Sequence, residues 1–286
     1  MESIKEKDIQ EQRREERLNY NLSRIKRKIV VMSGKGGVGK TTVAVNISRE
    51  LSERGYKVGI FDVDIHGPNV AKMLGVEHKK IFADEKGELM KPVPAGNNLF
   101  AVSLAFILEN RDTPVIWRGP MKAITIKQLL SDVDWGELDY LIVDCPPGTG
   151  DEPLSVCQII KEADGAVIVT TPQDVAVLDS RKTVVFAKTL KLPVVGIIEN
   201  MSGFKCPHCG ESIELFGKGG GETTAIDFNV SFLGRISLDP DIVKCGDSEI
   251  SFQELMGKAD RSGEIKKITD NILNFIDANK KEYKSN

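Results

Sequence analysis

The sequence predicts a doubly wound α/β domain, a mostly parallel sheet flanked by helices. Three observations predict it. Short Val- and Ile-rich runs recur along the chain; they are apolar at consecutive rather than alternate positions; and the stretches between them are long enough for crossover helices. A strand apolar on both sides has both faces covered, which is the environment of a parallel sheet between helical layers.

Taken in order, residues 1–26 form a charged N-terminal extension, with apolar positions at Ile4, Ile9, Leu18, Leu22 and Ile25. It reads equally as a solvated helix or frayed arm and as a disordered tail. From Arg27 the runs KIVVMS, KVGIFDVD, LFAVSLA, YLIVDC, GAVIVTTP, PVVGIIEN and VSFLGRI follow as strands of one domain over residues 27–280, before a polar tail at 281–286. Residues 76–98 interrupt the rhythm as an excursion holding a hairpin or loop. Residues 202–221 interrupt it again, with a cysteine pair and a glycine cluster. Near the C-terminus, Ile265, Ile268, Ile272, Phe275 and Ile276 recur at helical spacing, which predicts a helix laying its apolar stripe on the sheet; a membrane-targeting amphipathic helix is the alternative.

A 286-residue chain that is 41% hydrophobic has enough apolar material for a substantial core. Its formal charge of −3 gives no basic footprint for nucleic acid. No apolar run approaches the ~20 residues of a membrane span, and the N-terminus is charged rather than signal-like. The expectation is a cytoplasmic protein without nucleic-acid or membrane partners, whose five cysteines are thiols or metal ligands rather than disulfides.

Gly34-Lys35-Gly36-Gly37-Val38-Gly39-Lys40-Thr41 fits G-x-x-x-x-G-K-[ST], between the strand KIVVMS and a helix beginning VAVNISREL. In that context the glycines let backbone N–H groups turn toward phosphate oxygens at a helix N-terminus. Lys40 reaches the β- and γ-phosphates, the Thr41 hydroxyl holds Mg²⁺, and Thr42 donates to the α-phosphate. ATP with Mg²⁺ is therefore the expected ligand. Lys35 is a second cation in a loop that needs one. Either it reaches the phosphates of a facing subunit, as an arginine finger does, or it is a solvent-exposed lysine.

Two strand ends supply carboxylates. Asp62 and Asp64 follow KVGIF, pointing the same way if the strand continues. Asp144 ends the apolar run YLIV and opens a loop containing Gly148 and Gly150, an arrangement suited to holding Mg²⁺ directly or through water. One aspartate after a strand is often only a helix cap; two such loops behind a phosphate loop are a strong signal.

Cys206-Pro207-His208-Cys209 is a C-x-x-C in a loop: half a zinc site, a redox dithiol or a cluster site. No second pair exists in the chain to complete four ligands. Two copies across a twofold axis would bring four thiolates together, the set for one 4Fe–4S cluster or one Zn²⁺. His208 reads as an exposed spacer, Cys145 as a packed residue in the Asp144 loop and Cys157 as core. Cys245 carries no assigned role.

KGGVGKTT resembles the deviant Walker A motif of the MinD/ParA/nitrogenase-iron-protein class of P-loop NTPases. With DVDIHGPN, WRGPM, DYLIVDCPPGTGDE, IIENMSGFKCPHCG and ISLDPDIV, the chain resembles the Mrp/ApbC iron–sulfur carriers over nearly all of residues 27–278. The resemblance implies a homodimeric ATPase that binds a labile 4Fe–4S cluster between subunits at Cys206 and Cys209; slow hydrolysis would suit a switch. Cluster scaffold proteins and apo iron–sulfur proteins are its implied partners. It implies that Lys35 acts across the dimer, that Asp64 positions the attacking water, that Asp144 helps hold Mg²⁺ and that Asn200 reads the adenine. Asp239-Pro240-Asp241 would lie near the base or ribose. No cysteine precedes Cys145, so the N-terminal four-cysteine site of eukaryotic relatives is not expected. Three readings compete: a MinD/ParA-type positioning ATPase, which leaves the cysteine pair without a task; a zinc-bridged dimer with a structural nucleotide; and an electron-donating reductase like the nitrogenase iron protein, whose cluster cysteines would be widely separated, against the C-x-x-C spacing here.

Overall fold

The computed structural model describes residues 2–65, 67–83, 89–107, 119–206, 208–239 and 262–284. In chain order the elements are α1 (Glu2–Ser23), β1 (Ile25–Met32), α2 (Lys40–Glu53), β2 (Val58–Asp62), α3 (Val70–Met73), β3 (Phe82–Ala83), β4 (Met90–Lys91), β5 (Val93–Gly96) and β6 (Leu99–Ser103). There follow α4 (Gly119–Ser131), β7 (Leu138–Asp144), α5 (Asp151–Ile159), β8 (Gly165–Thr170), α6 (Asp174–Thr189), β9 (Val194–Lys205), β10 (Ser212–Ile213), α7 (Gly220–Phe228), β11 (Phe232–Leu238) and a last helix, α8 (Ser262–Lys284).

The main sheet has nine strands in the order β10-β9-β8-β1-β7-β2-β6-β5, with β11 pairing β9. Pairing is parallel from β9 through β6, and β11 is parallel to β9; the short β5 and β10 run antiparallel to β6 and β9. Strands β2 and β8 are buried at every position, as their unbroken apolar runs require. Alternate residues of β1 feed the two cores. Ile29 and Val31 pack with α2 and with Ile265, Ile268, Ile272 and Ile276 of α8, whereas Val30 and Met32 pack with α4, α5 and α6. The stripe of α8 is thus spent on the domain's own core.

The N-terminal segment is a docked helix rather than a frayed arm. Leu18 is buried against the α4 face, and the Asn21 amide donates to the carbonyls of Leu130 (2.9 Å), Ser131 (3.1 Å) and Val133 (2.9 Å) at the end of α4. It satisfies acceptors that the helix cannot pair internally. The excursion at 76–98 holds the small β3–β4 hairpin, and its last strand, β5, joins the edge of the main sheet. Strand β9 runs beyond the apolar segment that predicted it. Past Asn200 it passes through Met201, at φ 55°, and continues to Lys205, paired with β10 and β11.

Candidate functional site

The phosphate loop leaves the centre of the sheet at the end of β1, between β7 and β8, where ligands of open α/β sheets bind. Two glycines are fixed by contact. Gly34 lies so close to the Asp179 backbone in α6 that a side chain there would overlap it. Gly39 has φ 79° and sits beneath the Asn200 amide, so it needs both the left-handed backbone and the missing side chain. The loop is clasped from outside. The Gly148 N–H donates to the Ser33 carbonyl (2.8 Å), the Cys145 N–H to Val31 (3.1 Å), and the Asn200 amide to Val38 (2.8 Å).

A cavity of about 400 Å³ opens above the loop. Its walls include Lys35, Gly36, Gly37, Val38, Gly39, Lys40, Thr41, Thr42, Asp64, Asn200 and Asp239, all singled out in the sequence. Ser33, Asn69, Lys72, Met73, Pro147, Met201, Ser237 and Leu238 complete them. Gly34 and Asp144 are not among the walls; Asp144 is buried behind Lys40 and Thr41, which are. Lys40 donates to Asp144 Oδ1 (2.6 Å) and the Thr41 hydroxyl to Oδ2 (2.7 Å), with Asp144 fully buried and Lys40 6% exposed. This Thr–carboxylate pair is an oxygen donor set suited to Mg²⁺. Pro240 and Asp241 lie outside the described residues, as does Cys245.

Asp62 and Asp64 part company. β2 ends at Asp62, so strand alternation does not reach Asp64. Asp64 lines the cavity. Asp62 is fully buried opposite Asp144 in the β2–β7 register and accepts from the Ser103 hydroxyl (3.0 Å) and the N–H groups of Val70 and Asp64 (3.2 Å each). Sequence reasoning missed Ser103; a serine closing an apolar strand gave no signal. Burial, then the neighbouring Asp144 charge, pushes the Asp62 carboxyl up to about 8, with Lys40, Ser103 and the Val70 N–H opposing. Burial raises Asp144 too, against the Lys40 ammonium and Thr41 hydroxyl on its oxygens.

Between its ordinary value of 3.8 and about 8, Asp62 keeps a proton in the folded chain that the unfolded chain releases. Stability from this group is therefore present at low pH and lost as pH rises through that window. Unfolding by urea without nucleotide should show the wild type losing roughly 3–4 kcal/mol more than Asp62→Asn between pH 5 and pH 8. Parallel pH profiles for the two proteins would refute the protonated state.

The cysteine pair sits at the tip of the β9–β10 hairpin. The Gly210 N–H donates to the Cys206 carbonyl and the Cys206 N–H to the Glu211 carbonyl, both at 2.9 Å. The backbone N–H groups of Cys209 and His208, with the Cys209 side chain, hold the Cys206 thiol below its ordinary range, favouring the thiolate. Cys209 is exposed and Cys206 half-buried, whereas burial raises both Cys145 and Cys157 and leaves them poor ligands. Among the described residues, no three His, Cys, Asp or Glu side chains converge as a metal site, so His208 does not complete one with the pair.

Glu199, missed by sequence reasoning, ties this hairpin to the site. Fully buried beside Asn200, it accepts from the Ser202 hydroxyl (2.6 Å), the Gly219 N–H (3.1 Å), the Gly221 N–H (2.7 Å) and Arg235 (3.1 Å). Arg235 also pairs with Glu222. Burial alone would raise the Glu199 carboxyl; the donors from Ser202, Gly221, Gly219 and Arg235 outweigh it and hold the group below its ordinary range.

A phosphate loop at the head of α2, a buried carboxylate beneath it and a parallel sheet order define a nucleotide-binding P-loop NTPase. The family model for ParA, the NUBPL iron-transfer P-loop NTPases, matches residues 24–273, and the chain belongs to that family. It is 49% identical over 264 residues to the iron-sulfur cluster carrier protein of Methanocaldococcus jannaschii, covering 92% of this chain and 90% of that one. It is 45% identical to the cytosolic Fe-S cluster assembly factor CFD1 of Kluyveromyces lactis, covering 89% and 93%. Among solved structures it is similar to the nucleotide-binding protein from Archaeoglobus fulgidus, in complex with ADP and with cobalt found by PIXE. The TM-score is 0.75, with 37% identity over 87% of this chain and 96% of that one.

Proposed function

We propose that this chain is an ATP-switched carrier that holds a labile 4Fe–4S cluster between two copies of itself and passes it to apoproteins. The observation that carries the reading is the Cys206–Cys209 turn. It offers a thiolate poised by backbone N–H groups, on an exposed tip, with two ligands where a cluster needs four. A second copy supplies the missing pair. The names of the M. jannaschii and K. lactis relatives support the cargo. Zn²⁺ is the competing occupant of the same four thiolates.

Lys40 would turn from Asp144 to the β- and γ-phosphates. Thr41 and Asp144 would hold Mg²⁺, which neutralises phosphate charge when bound. Asp64, on the cavity wall, would orient the attacking water, and Lys35 would face the partner's nucleotide. Asn200 would fix the base side of the cavity, with Asp239 near the ribose. Hydrolysis is slow in this reading, as suits a switch. Asn200 touches the phosphate loop, and the same strand ends at the cysteines, so nucleotide state would set how firmly the cluster is held.

Anaerobic reconstitution with iron and sulfide tests this. The wild type should take up one cluster per two chains, with a visible absorbance band, and yield it to an apo-acceptor; Cys206→Ala/Cys209→Ala should take up none. Equal iron in both proteins removes the carrier reading, and stoichiometric zinc resistant to exchange favours the structural dimer.

A further inference from the structure

A second cavity, of about 520 Å³, shares no lining residue with the nucleotide cavity. Lys28, near the start of β1, lines it, roughly 13 Å of strand back from Met32 and the phosphate loop. Helix α1 roofs it, with α4 and the end of α5 as its sides.

Lys28 is the informative residue. It lies two positions before Val30, on the sheet face that α4 and α5 cover, and is only 7% exposed. Its backbone N–H donates to Asp164 Oδ2 (2.7 Å) and its carbonyl accepts from the Asp164 N–H (2.8 Å), which fixes the strand there. The Asp164 carboxylate is further occupied by Arg27 (2.6 Å). No hydrogen bond or ion pair holds the Lys28 ammonium among the described residues. The side chain is packed, but its ammonium is not among the buried side-chain atoms without a partner; it opens into the cavity, where an anion can reach it.

The rest of the lining fits an anion. Lys127 and Lys161 join Lys28, three cations against Glu15 and Glu162. Glu15 and Lys127 are taken by each other at 2.6 Å, which leaves Lys28 and Lys161 against Glu162. Leu18, Leu22 and Ile159 supply apolar wall, and the volume lies in the range of small-molecule sites. We propose that this cavity binds a small organic anion, with its acidic group on the Lys28 ammonium and its carbon body against Leu18, Leu22 and Ile159.

The test uses the full chain with its nucleotide site saturated by Mg²⁺·ADP, so that an added anion cannot take the phosphate loop. Calorimetric titration with phenyl phosphate should show one saturable site. Its affinity should fall at least about tenfold in Lys28→Met and several-fold in Lys161→Gln, with ADP affinity unchanged. Inorganic phosphate should bind more weakly than phenyl phosphate. Absence of saturable binding, or wild-type affinity in both variants, overturns the proposal; equal affinity for the two phosphates overturns its organic part. Lys161 is exposed, so Lys161→Gln keeps the test valid should Lys28→Met fail to fold.

Discussion

Lys40→Ala is expected to abolish nucleotide turnover and to weaken nucleotide binding at least about 100-fold, a loss near 2.7 kcal/mol. The ammonium is the cation of the cavity floor, 2.6 Å from Asp144, and its loss removes the group best placed to meet a triphosphate. The folded state bears a cost as well, because Asp144 and Asp62 lie in paired register, fully buried, with no other cation on either among the described residues. Removing one partner of a buried pair costs about 3–5 kcal/mol before the survivor takes up a proton. The variant should therefore melt lower at pH 8 than at pH 6 relative to wild type, since acid supplies the proton that replaces the lysine. Fluorescent-nucleotide titration and phosphate release measure the functional part. ATP turnover at the wild-type rate would contradict the assignment of the site.

Glu199→Ala comes next in size, and its effect falls on a residue that touches neither phosphate nor cysteine. The substitution strips an acceptor from Ser202, Gly219, Gly221 and Arg235 at once; Ser202 and Gly221 are buried and lose that partner, while the half-exposed Arg235 keeps Glu222. A loss of about 3 kcal/mol or more in unfolding free energy is expected. In the wild type the lowered carboxyl contributes stability above its ordinary value of 4.5, lost as pH falls through the folded value. The difference between wild type and variant should thus shrink in acid. Cluster uptake should also weaken with both cysteines in place, because Ser202 and Gly219 bracket their hairpin. Unchanged melting together with unchanged iron loading would show that the carboxylate merely fills space.

The parts of the molecule legible in the sequence were those whose chemistry is local. Consecutive apolar residues announced β1, β2, β7 and β8, and the glycines with Lys40 and Thr41 announced the phosphate loop. What was not legible depends on partners distant in the chain. A glutamate closing an apolar strand looks like the beginning of a surface loop; only the fold brings Gly219, Gly221 and Arg235 around Glu199. The N-terminal segment has too few apolar residues to predict burial. It docks through Leu18 and through one amide, Asn21, that finds three carbonyls more than 100 residues away. Asp62 and Asp64 looked equivalent because a strand end cannot be read to within two residues, and that boundary sends one carboxylate into the core and the other to the cavity wall.

Strand β9 carries Asn200 at the phosphate loop and delivers the chain to Cys206 six residues later. Six residues reach at most ~20 Å even when fully drawn out, and these are hydrogen-bonded to neighbours on the way. The tether between fuel and cargo has almost no slack. In the proposed dimer a shift at its inner end would tilt the hairpin, and a tilt at the tip of one copy would move two thiols relative to their counterparts in the other. On that proposal no separate lever domain is needed to relay nucleotide state, since the backbone of a single strand would be the connecting rod.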